Sequence, residues 1–316
     1  MIPSPTGAAP TGPAPTGAAP TGPAPTGASP TGDDHVVIAL DACQLGLAAG
    51  VGRVVSAGPR AQGLIDRRVL VGPIDPCGEC DVCRRGGAAV CPLATRRDAL
   101  DGAQVTASGR WVVPLGDGLV IDGPAAAAVA GDLALAYTLY ARTGAAPRDP
   151  VVVVGVSPIA RFLVEILVAK GIAPVVIADP GPWADWLAAR QIAIAPADDP
   201  RPALASVFAA QGLGTKPWRV LCASPDAVAL AAELAGPRAT LSLLADAARA
   251  LPGALLAREV AIIGVAGAHP DLVVEAAALC VKGDIDLVAA TVIAGQHDSE
   301  DPAAAPPRTR VRVVAP

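Results

Sequence analysis

Aromatic side chains are scarce in this sequence: phenylalanine, tyrosine and tryptophan together make up 3% of its 316 residues. A folded core must therefore consist of valine, leucine, isoleucine and alanine, within an apolar share of 52%. Charged residues are also few, at 17%, and the 24 basic and 29 acidic residues give a formal net charge of −5. Because no basic patch or stripe stands out, nucleic acid is not expected as a partner.

Long hydrophobic runs and an N-terminal targeting signal are missing as well. The longest apolar runs are of strand length and are interrupted by glycine, proline or charge, so no membrane-spanning segment is predicted. The N-terminus has neither the basic region nor the apolar region of a secretory signal. Seven cysteines without such a signal indicate a cytoplasmic protein, because thiols stay reduced in that compartment.

The first 32 residues lack an apolar face that could be buried. They repeat with a period of five, as PTGAA and PTGPA. Proline every few residues disfavours both helix formation and strand pairing. We therefore predict that residues 1–32 form a disordered tail with some polyproline II character.

Residues 33–143 are predicted to form a small β-rich domain. Short runs of β-branched and apolar residues, separated by glycine, proline and charge, indicate strands. An alanine-rich stretch with no proline beyond Pro124 indicates one helix. The predicted strands are His35–Leu40, Gly52–Ser56, Arg67–Gly72, Trp111–Leu115 and Leu119–Ile121, and the predicted helix is Gly123–Tyr140.

The pattern changes at Val151, where a continuous apolar run is typical of a strand buried on both faces. Strand and helix patterns then alternate, which predicts a doubly wound parallel sheet, an α/β fold of the Rossmann type, over residues 144–285. Further strands are predicted at Val175–Ala178, Ile192–Ala195, Arg219–Ala223, Thr240–Leu244 and Val260–Val265. Helices are predicted at Ile159–Lys170, Trp183–Arg190, Pro202–Ala210, Asp226–Leu234 and Pro270–Lys282.

The strand–helix rhythm ends near Asp286. Residues 286–316 are predicted to form a flexible tail, with loop or disorder over 296–307. In Val311–Val314 and the residues just before it, arginines alternate with threonine and valine, which indicates an edge strand.

Four cysteines, Cys77, Cys80, Cys83 and Cys91, are spaced C-x2-C-x2-C-x7-C. Thiolate sulfur suits zinc, and four thiolates complete a tetrahedral shell with no open position, as structural zinc sites require. The alternatives are disulfides or four unrelated buried thiols, and a reducing cytosol argues against disulfides. We predict one structural zinc in a lobe formed by residues 77–91, which as a closed site performs no chemistry.

A dinucleotide-type turn is predicted at residues 155–160, because this segment follows a buried strand and opens a helix. The helix N-terminus offers N–H groups to a pyrophosphate. Asp179 ends the next strand, where a carboxylate binds the ribose 2′-hydroxyl, and no neighbouring arginine favours a 2′-phosphate, so NAD is predicted. The alternative is a fold that has lost cofactor binding, because Ser157 replaces the second glycine. The candidate cofactor-binding residues are Gly155, Ser157, Pro158, Ile159, Ala160 and Asp179.

The cysteine spacing, followed by this strand–turn–helix, resembles the zinc-containing medium-chain alcohol dehydrogenase family. The segment Gly58–Cys77 is similar to that family's approach to its structural zinc, and the similarity runs with gaps from about Val36 to Pro316. The resemblance implies that the β-rich domain is GroES-like and that the last strand returns to it. It also implies NAD-linked oxidation of an alcohol, and a homodimer formed through Val260–Val265.

The resemblance fails where that family holds its second, catalytic zinc. The segment Leu45–Val55 is similar to the family's Gly-His-Glu stretch and keeps Gly46. However, Leu47 then occupies the histidine position and Ala48 the glutamate position, and neither side chain binds zinc.

A second alignment places Cys43 in the first-ligand strand, with no histidine near it. The third-ligand position then falls on Gly131, next to Asp132. Cys43 and Asp132 are therefore the candidate catalytic residues, although one thiolate and one displaced carboxylate do not complete a catalytic zinc site. The three histidines, His35, His269 and His297, are interpreted as solvated loop residues.

Three functions follow from these observations. The first is an NAD-linked alcohol dehydrogenase with an unusual metal arrangement. The second is a zinc-independent reductase of enones or quinones. The third is a non-catalytic, zinc-stabilised subunit that binds nucleotide or acts through assembly. The main prediction is an alcohol dehydrogenase-like, NAD-linked oxidoreductase scaffold with a structural zinc and an incomplete catalytic site, and the non-catalytic subunit and the zinc-independent reductase are the alternatives.

Overall fold

The computed structural model describes residues 32–100, 102–116, 118–121, 123–244, 251, 253–294 and 305–314. The predicted disordered repeat lies outside these residues except for Gly32, and so does most of the loop predicted over 296–307. The described residues form two large sheets and one small two-stranded sheet.

The first large sheet is built mainly from the N-terminal part of the chain. Its strands are β1 His35–Gln44, β2 Gly50–Ala57, β3 Arg68–Val71, β6 Gln104–Ser108, β7 Val113–Pro114, β14 Thr291–Ile293 and β15 Thr309–Val313. Between β3 and β6 the chain forms the cysteine lobe. The lobe consists of β4 Ile74–Asp75, the short helix α1 Asp81–Arg84 and β5 Thr95–Arg96, and β4 pairs with β5.

Strand β1 is the central strand of this sheet. It pairs antiparallel with β2 along most of its length, with β6 at its N-terminal end and with β15 at its C-terminal end. The predicted return of the chain to the first sheet is therefore observed. The predicted edge position of the last strand is wrong, because β15 lies between β1 and β14. Thr309 and Val311 are buried there, at 1% and 0% exposure.

The second large sheet is parallel and has the strand order β10-β9-β8-β11-β12-β13, which confirms the predicted doubly wound α/β class. Its strands are β8 Val151–Val154, β9 Val175–Ile177, β10 Ala193–Ala195, β11 Arg219–Cys222, β12 Thr240–Leu244 and β13 Ala261–Val265. Its helices are α3 Pro158–Ala169, α4 Pro182–Ala189, α5 Pro200–Ala210, α6 Val228–Leu234, α7 Ala254–Ala257 and α8 Pro270–Val281. None of the helices in the described segments has the length and apolarity to cross a membrane.

Local sequence explains several of these elements. All four valines of β8 are at most 1% exposed, as a central strand covered on both faces requires. Helices α3, α4, α5 and α8 each begin with proline. Proline at the first helical position has a suitable φ and lacks an N–H group that would have no partner within the helix.

The helix predicted over residues 123–140 is wrong as a single element. The chain forms a 3-10 turn at Pro124–Ala128, a π turn at Val129–Leu133 and then the α-helix α2 Ala134–Thr143. The break occurs at Gly131, which has φ −111° and ψ −107°. A Cβ on Gly131 would lie 2.8 Å from Cδ of Gln44 and closer still to its Oε1, so only glycine allows this side chain of β1 to approach.

Other boundaries also differ from the predictions. No strand forms at Leu119–Ile121, where the described residues make a single bridge between Gly116 and Leu119. The strands β6 and β14 are not predicted by the sequence pattern. Both complete the first sheet by pairing with strands that are distant in sequence, β6 with β1 and β14 with β15.

The two large sheets share one apolar core. Helix α2 packs in this core together with α3, and the same cluster includes Ala42 of β1, Leu70 of β3 and Val153 of β8. Leu139 of α2 and Leu163 of α3 are both fully buried there. The two sheets are therefore packed against each other, and residues of both line the cleft between them.

Candidate metal centre and cleft

The four cysteines of the lobe converge on one point. Their Sγ atoms all lie within 4.8 Å of one another. Cys91 Sγ is 3.6 Å from Cys77 Sγ and 3.8 Å from Cys80 Sγ, and Cys77 Sγ is 4.0 Å from Cys83 Sγ. Helix α1 begins after Cys80, whose sulfur accepts a hydrogen bond from the Cys83 N–H at 3.5 Å. The short turns therefore aim consecutive sulfurs inward.

These distances fit a zinc ion. A tetrahedron with Zn–S bonds of about 2.3 Å has sulfur–sulfur edges of about 3.8 Å. A disulfide requires about 2.05 Å, and all four cysteines are free thiols. The donor set leaves no coordination position for water or substrate, so a zinc held there would stabilise the lobe.

The backbone and the burial of the lobe act in opposite directions on two of these thiols. The N–H groups of Glu79 and Cys80 lower the pKa of Cys77 to about 6. Burial raises the pKa of Cys83 to about 12. Zinc binding requires all four sulfurs to be thiolates, so loading the site releases the protons that remain.

A buried ion pair anchors the lobe to the first sheet, and sequence reasoning did not find it. Arg97 Nη2 donates to Asp75 Oδ2 at 3.0 Å and to the Thr106 carbonyl at 2.9 Å, and the two charged side chains are 11% and 10% exposed. The Ser108 N–H donates to the same Asp75 oxygen at 3.0 Å. Asp75 and Arg97 flank the cysteines in sequence, but their pairing is seen only in the folded chain, where both side chains also bond to the backbone of β6.

The predicted dinucleotide turn lies between β8 and α3, at the middle of the parallel sheet. Gly155 has φ +106°, and a Cβ there would lie 2.7 Å from Cβ of Ser224, so the turn needs glycine. Ser157 has an extended backbone and is the N-cap of α3. Its Oγ accepts from the Ala160 N–H at 3.1 Å and donates to the Ala223 carbonyl at 2.8 Å. The Ser157 hydroxyl therefore already acts both as a hydrogen-bond donor and as a hydrogen-bond acceptor within the protein.

This capping reduces what the α3 N-terminus can offer to an anion. Pro158, the first helical residue, has no N–H group. The Ala160 N–H already donates to Ser157. The Ile159 N–H lies in the first turn, where no helical carbonyl stands four residues earlier to accept from it. The turn therefore fits a pyrophosphate with a smaller set of donors than a glycine-rich turn would provide.

Asp179 lies beyond the carboxyl end of β9, beside the strand that precedes the turn. Its side chain is exposed, and its Oδ1 accepts from the Ala197 N–H at 3.3 Å. A carboxylate at this position fits the ribose of a dinucleotide.

A cavity of about 610 Å³ lies between the two large sheets. Its walls include Leu47 of the β1–β2 hairpin, Leu70 of β3, Ile159 of α3, Leu244 of β12 and Val265 of β13. The carboxyl ends of the parallel strands thus open into it, where ligands of doubly wound sheets bind. Most of the described lining is apolar, so the cavity favours an apolar group.

Asp132 is the buried carboxyl group in the wall of this cavity, with 7% exposure. Its Oδ2 accepts from Thr309 Oγ1 of β15 at 2.7 Å, and its N–H donates to Gln44 Oε1 of β1 at 3.2 Å. Burial raises the pKa of Asp132, against the lowering effect of the hydrogen bonds with Thr309 and Gln44. The neutral carboxylic acid therefore persists to higher pH than in an ordinary aspartate.

The overall architecture was compared with known proteins. No family model and no curated protein matches the sequence. Among solved structures, the alcohol dehydrogenase TADH from Thermus sp. ATN1 matches with a TM-score of 0.74, 17% identity, and coverage of 91% of this chain and 95% of that one. An alcohol dehydrogenase from Escherichia coli CFT073 complexed with NADH matches with a TM-score of 0.72, 15% identity, and coverage of 91% and 94%.

Galactitol-1-phosphate dehydrogenase from Escherichia coli matches with a TM-score of 0.71 and 18% identity, over 91% of this chain and 95% of that one. Near-complete coverage of both chains shows that the architecture is shared throughout. The chain has the medium-chain alcohol dehydrogenase fold.

Within this medium-chain dehydrogenase fold, the two candidate catalytic residues are not brought together. Cys43 lies in the core on one face of β1, whereas its neighbour Gln44 reaches Asp132 on the opposite face. The positions predicted to replace a histidine and a glutamate are also divided. Leu47 lines the cavity, while Ala48 is buried with Cys43. Among the described residues, the lobe cysteines form the sole cluster of three or more metal-ligating side chains.

Proposed function

We propose that this chain is an NAD-linked oxidoreductase scaffold that is stabilised by one structural zinc and has no catalytic zinc in its cleft. The observation that carries this proposal is the contrast between two sites of one fold. Four sulfurs converge in the lobe, while the described residues of the cleft wall include Leu47 and a single carboxyl group, the buried Asp132. The fold supports it too, since the similar dehydrogenase from Escherichia coli CFT073 is complexed with NADH.

The chain's own residues define how NAD would be held. Gly155 allows a tight turn that a pyrophosphate would approach, and the Ile159 N–H in the first turn of α3 would donate to it. The Asp179 carboxylate would accept from the ribose hydroxyls and would repel a 2′-phosphate, which favours NAD over NADP. NAD supplies a hydride acceptor when it is bound. The apolar walls of the cavity would limit the access of water to the site of hydride exchange.

Two of the three hypotheses remain compatible with this geometry. A zinc-dependent alcohol dehydrogenase needs three protein ligands around one open position, and the described cleft residues do not supply them. A non-catalytic nucleotide-binding subunit and a zinc-independent reductase do not need such a set. Asp132 favours the reductase as the second candidate function, because a buried carboxyl group in an apolar cavity can hold a proton.

The test is to measure zinc content and NADH binding on the same purified full-length protein. We expect one zinc per chain, saturable NADH binding, and no chelator-sensitive oxidation of a broad panel of alcohols. A second tightly bound zinc per chain would overturn the proposed cleft. Failure to bind NADH at millimolar concentration would overturn the proposed cofactor and favour a scaffold that has lost it.

We also infer that the chain forms a homodimer through β13. This strand is an edge of the parallel sheet among the described strands, and its residues Ala261, Ile262 and Gly264 are exposed. An exposed edge strand presents unpaired backbone groups that a second copy can pair with. Light scattering at micromolar concentration should show a dimer for the native chain and a monomer for Ile262→Lys. A monomeric native chain would contradict this inference.

The cytoplasmic location is also a proposal. It is supported by the four cysteines of the zinc lobe, because thiols stay reduced and available to a metal in that compartment.

A further inference from the structure

Three separate segments of the chain converge on Asp132. The residue itself lies in the π turn Val129–Leu133, a helical irregularity that is often found at functional sites. Gln44 reaches it from β1, and Thr309 reaches it from β15 at the far end of the sequence. Gly131 leaves the space through which the Gln44 side chain passes.

The hydrogen bond from Thr309 distinguishes the two carboxyl oxygens of Asp132. Thr309 donates to Oδ2, which leaves Oδ1 as the oxygen that does not accept from Thr309. Among the described residues, burial raises the pKa of Asp132, the hydrogen bonds with Thr309 and Gln44 lower it, and no charged side chain contributes. Arg96 is the other ionisable side chain among the described cavity-lining residues. It is exposed on β5.

The rest of the described cavity wall is predominantly apolar, with leucine, isoleucine, valine, proline and alanine side chains around Trp111. Such a wall binds an apolar ligand, but it gives that ligand no orientation. One protonated carboxyl group in this wall is a hydrogen-bond donor, and it is strongest where water is excluded. Its complement is a ligand with one hydrogen-bond acceptor on an apolar body.

We propose that the cleft binds a small apolar carbonyl compound, and that Asp132 donates a hydrogen bond from Oδ1 to its carbonyl oxygen. This inference rests on the proposed function, in which the cleft holds a compound that can exchange hydride with a nicotinamide. Asp132 thus occupies the polarising role that a metal would otherwise fill. Gln44 and Thr309 are positioning residues, because each contacts Asp132 and fixes its orientation.

The test is equilibrium binding of 2-cyclohexenone to the full chain, measured by ligand-observed NMR at pH 6 and pH 9. Cyclohexane is the control without an acceptor, and cyclohexylamine is the cationic control. We expect the enone to bind more tightly at pH 6, because the neutral Asp132 that donates the hydrogen bond is lost as pH rises. Asp132→Asn should keep the binding and lose its pH dependence, since an amide donates at both pH values.

Asp132→Leu should weaken enone binding about tenfold, as expected for the loss of one hydrogen bond in an apolar site. Thermal melting of both variants shows whether they fold, and Asp132→Asn keeps the proposal testable if the leucine variant does not. A purely structural role for Asp132 would change melting temperatures without the pH dependence of binding. Equal binding of enone and cyclohexane, or tighter binding of cyclohexylamine at pH 9, would overturn the proposal.

NADH binding by the native chain separates this inference from the proposed function. If NADH binds and the enone does not, the carbonyl site is wrong and the scaffold stands. If the enone binds with the expected pH dependence and NADH does not, the carbonyl site stands and the proposed cofactor is wrong.

Discussion

The cysteine lobe and the cleft are neighbours in this molecule, yet they are built in opposite ways. The lobe takes its four ligands from one short segment, residues 77–91, whose turns bring the sulfurs together. The cleft takes its wall from the β1–β2 hairpin, β3, α3, β12 and β13, which are distant in sequence. A locally encoded site keeps its geometry when other parts of the chain change. A site assembled from distant segments loses its complete set of ligands when any one of those segments changes.

The two regions are nevertheless in contact, because Pro76, Ala88 and Ala89 of the lobe also line the cavity. Gly267, after β13, packs against Ile74 and Ala89 so closely that a Cβ there would lie 2.7 Å from Ile74. The lobe therefore forms part of the cleft wall as well as binding its own metal.

The largest effect is expected from breaking the lobe with Cys77→Ser. Loss of one of four thiolates should reduce zinc affinity more than about 100-fold, which exceeds what is typical for changes beyond the metal ligands. Zinc content by elemental analysis should fall well below one per chain, with a lower melting temperature. Cys280→Ser is the matched control, because this cysteine of α8 lies outside the cluster and should leave zinc content unchanged. Equal zinc content in both variants would show that the lobe does not bind the metal.

This contrast also explains what the sequence could predict. The four cysteine ligands are recognisable because their spacing is local, and the parallel strands are recognisable because β8 is four consecutive buried valines. The strands β6 and β14 were missed because both gain their stability from pairing with strands far away in sequence. Propensity is a weak guide where such pairing decides.

The irregular helix start was missed for a similar reason. The alanine-rich sequence favours a regular helix, but the Gln44 side chain enters at Gly131 and breaks it. Likewise, Thr309 reaches Asp132 across 177 residues of sequence, and the sequence pattern does not show that contact. Asp132 was a candidate because of the family resemblance alone, and its partners were found only in the folded chain.

The second largest effect is expected on the cleft side, from Gly131→Ala. The new Cβ would lie 2.8 Å from Cδ of Gln44 and even closer to its Oε1. Gln44 would have to leave the Asp132 N–H, at a cost of about 2 kcal/mol from overpacking and the lost hydrogen bond. Urea denaturation measures this change. Gly63→Ala is the control, because nothing lies within 4 Å of its Cβ position. Equal stability of the two variants would contradict the tight approach of Gln44.

A smaller effect is expected at the dinucleotide turn, where Ser157→Gly tests whether the cap competes with the cofactor. The change frees the Ala160 N–H and removes the Cβ, at a cost of a few tenths of a kcal/mol for the helix. We expect NADH affinity by calorimetry to rise about fivefold, since one charge-assisted hydrogen bond is gained.

Ser157→Ala separates the two causes in that experiment, because it frees the same N–H while keeping the Cβ. An increase for glycine alone would mean that the Cβ crowds the pyrophosphate. An increase for both variants would mean that the hydroxyl occupies the donor. Unchanged affinity in both would show that this turn does not limit cofactor binding.

The smallest effect is expected from Leu47→His, which restores one side chain that a catalytic zinc would need. The new imidazole would share the cavity with Asp132, but Cys43 lies on the other face of β1 and cannot turn toward it. Two ligands do not make a tight zinc site, so zinc content should stay at one per chain. Stability should change by about 1 kcal/mol or less, because Leu47 is only partly buried.

Leu45→His is the matched control for this experiment, since Leu45 is 37% exposed on the same hairpin. A second zinc in Leu47→His but not in Leu45→His would mean that one histidine is enough to restore a zinc site in the cleft, without a change in the path of β1. That result would erase the difference between the two regions, because a distant set of ligands would then be as easily restored as a local one. An unchanged zinc content would show that one side-chain replacement does not restore a catalytic zinc site. The backbone then prevents it, because the hairpin after β1 places Leu47 in the cavity wall and Ala48 in the core on the other side.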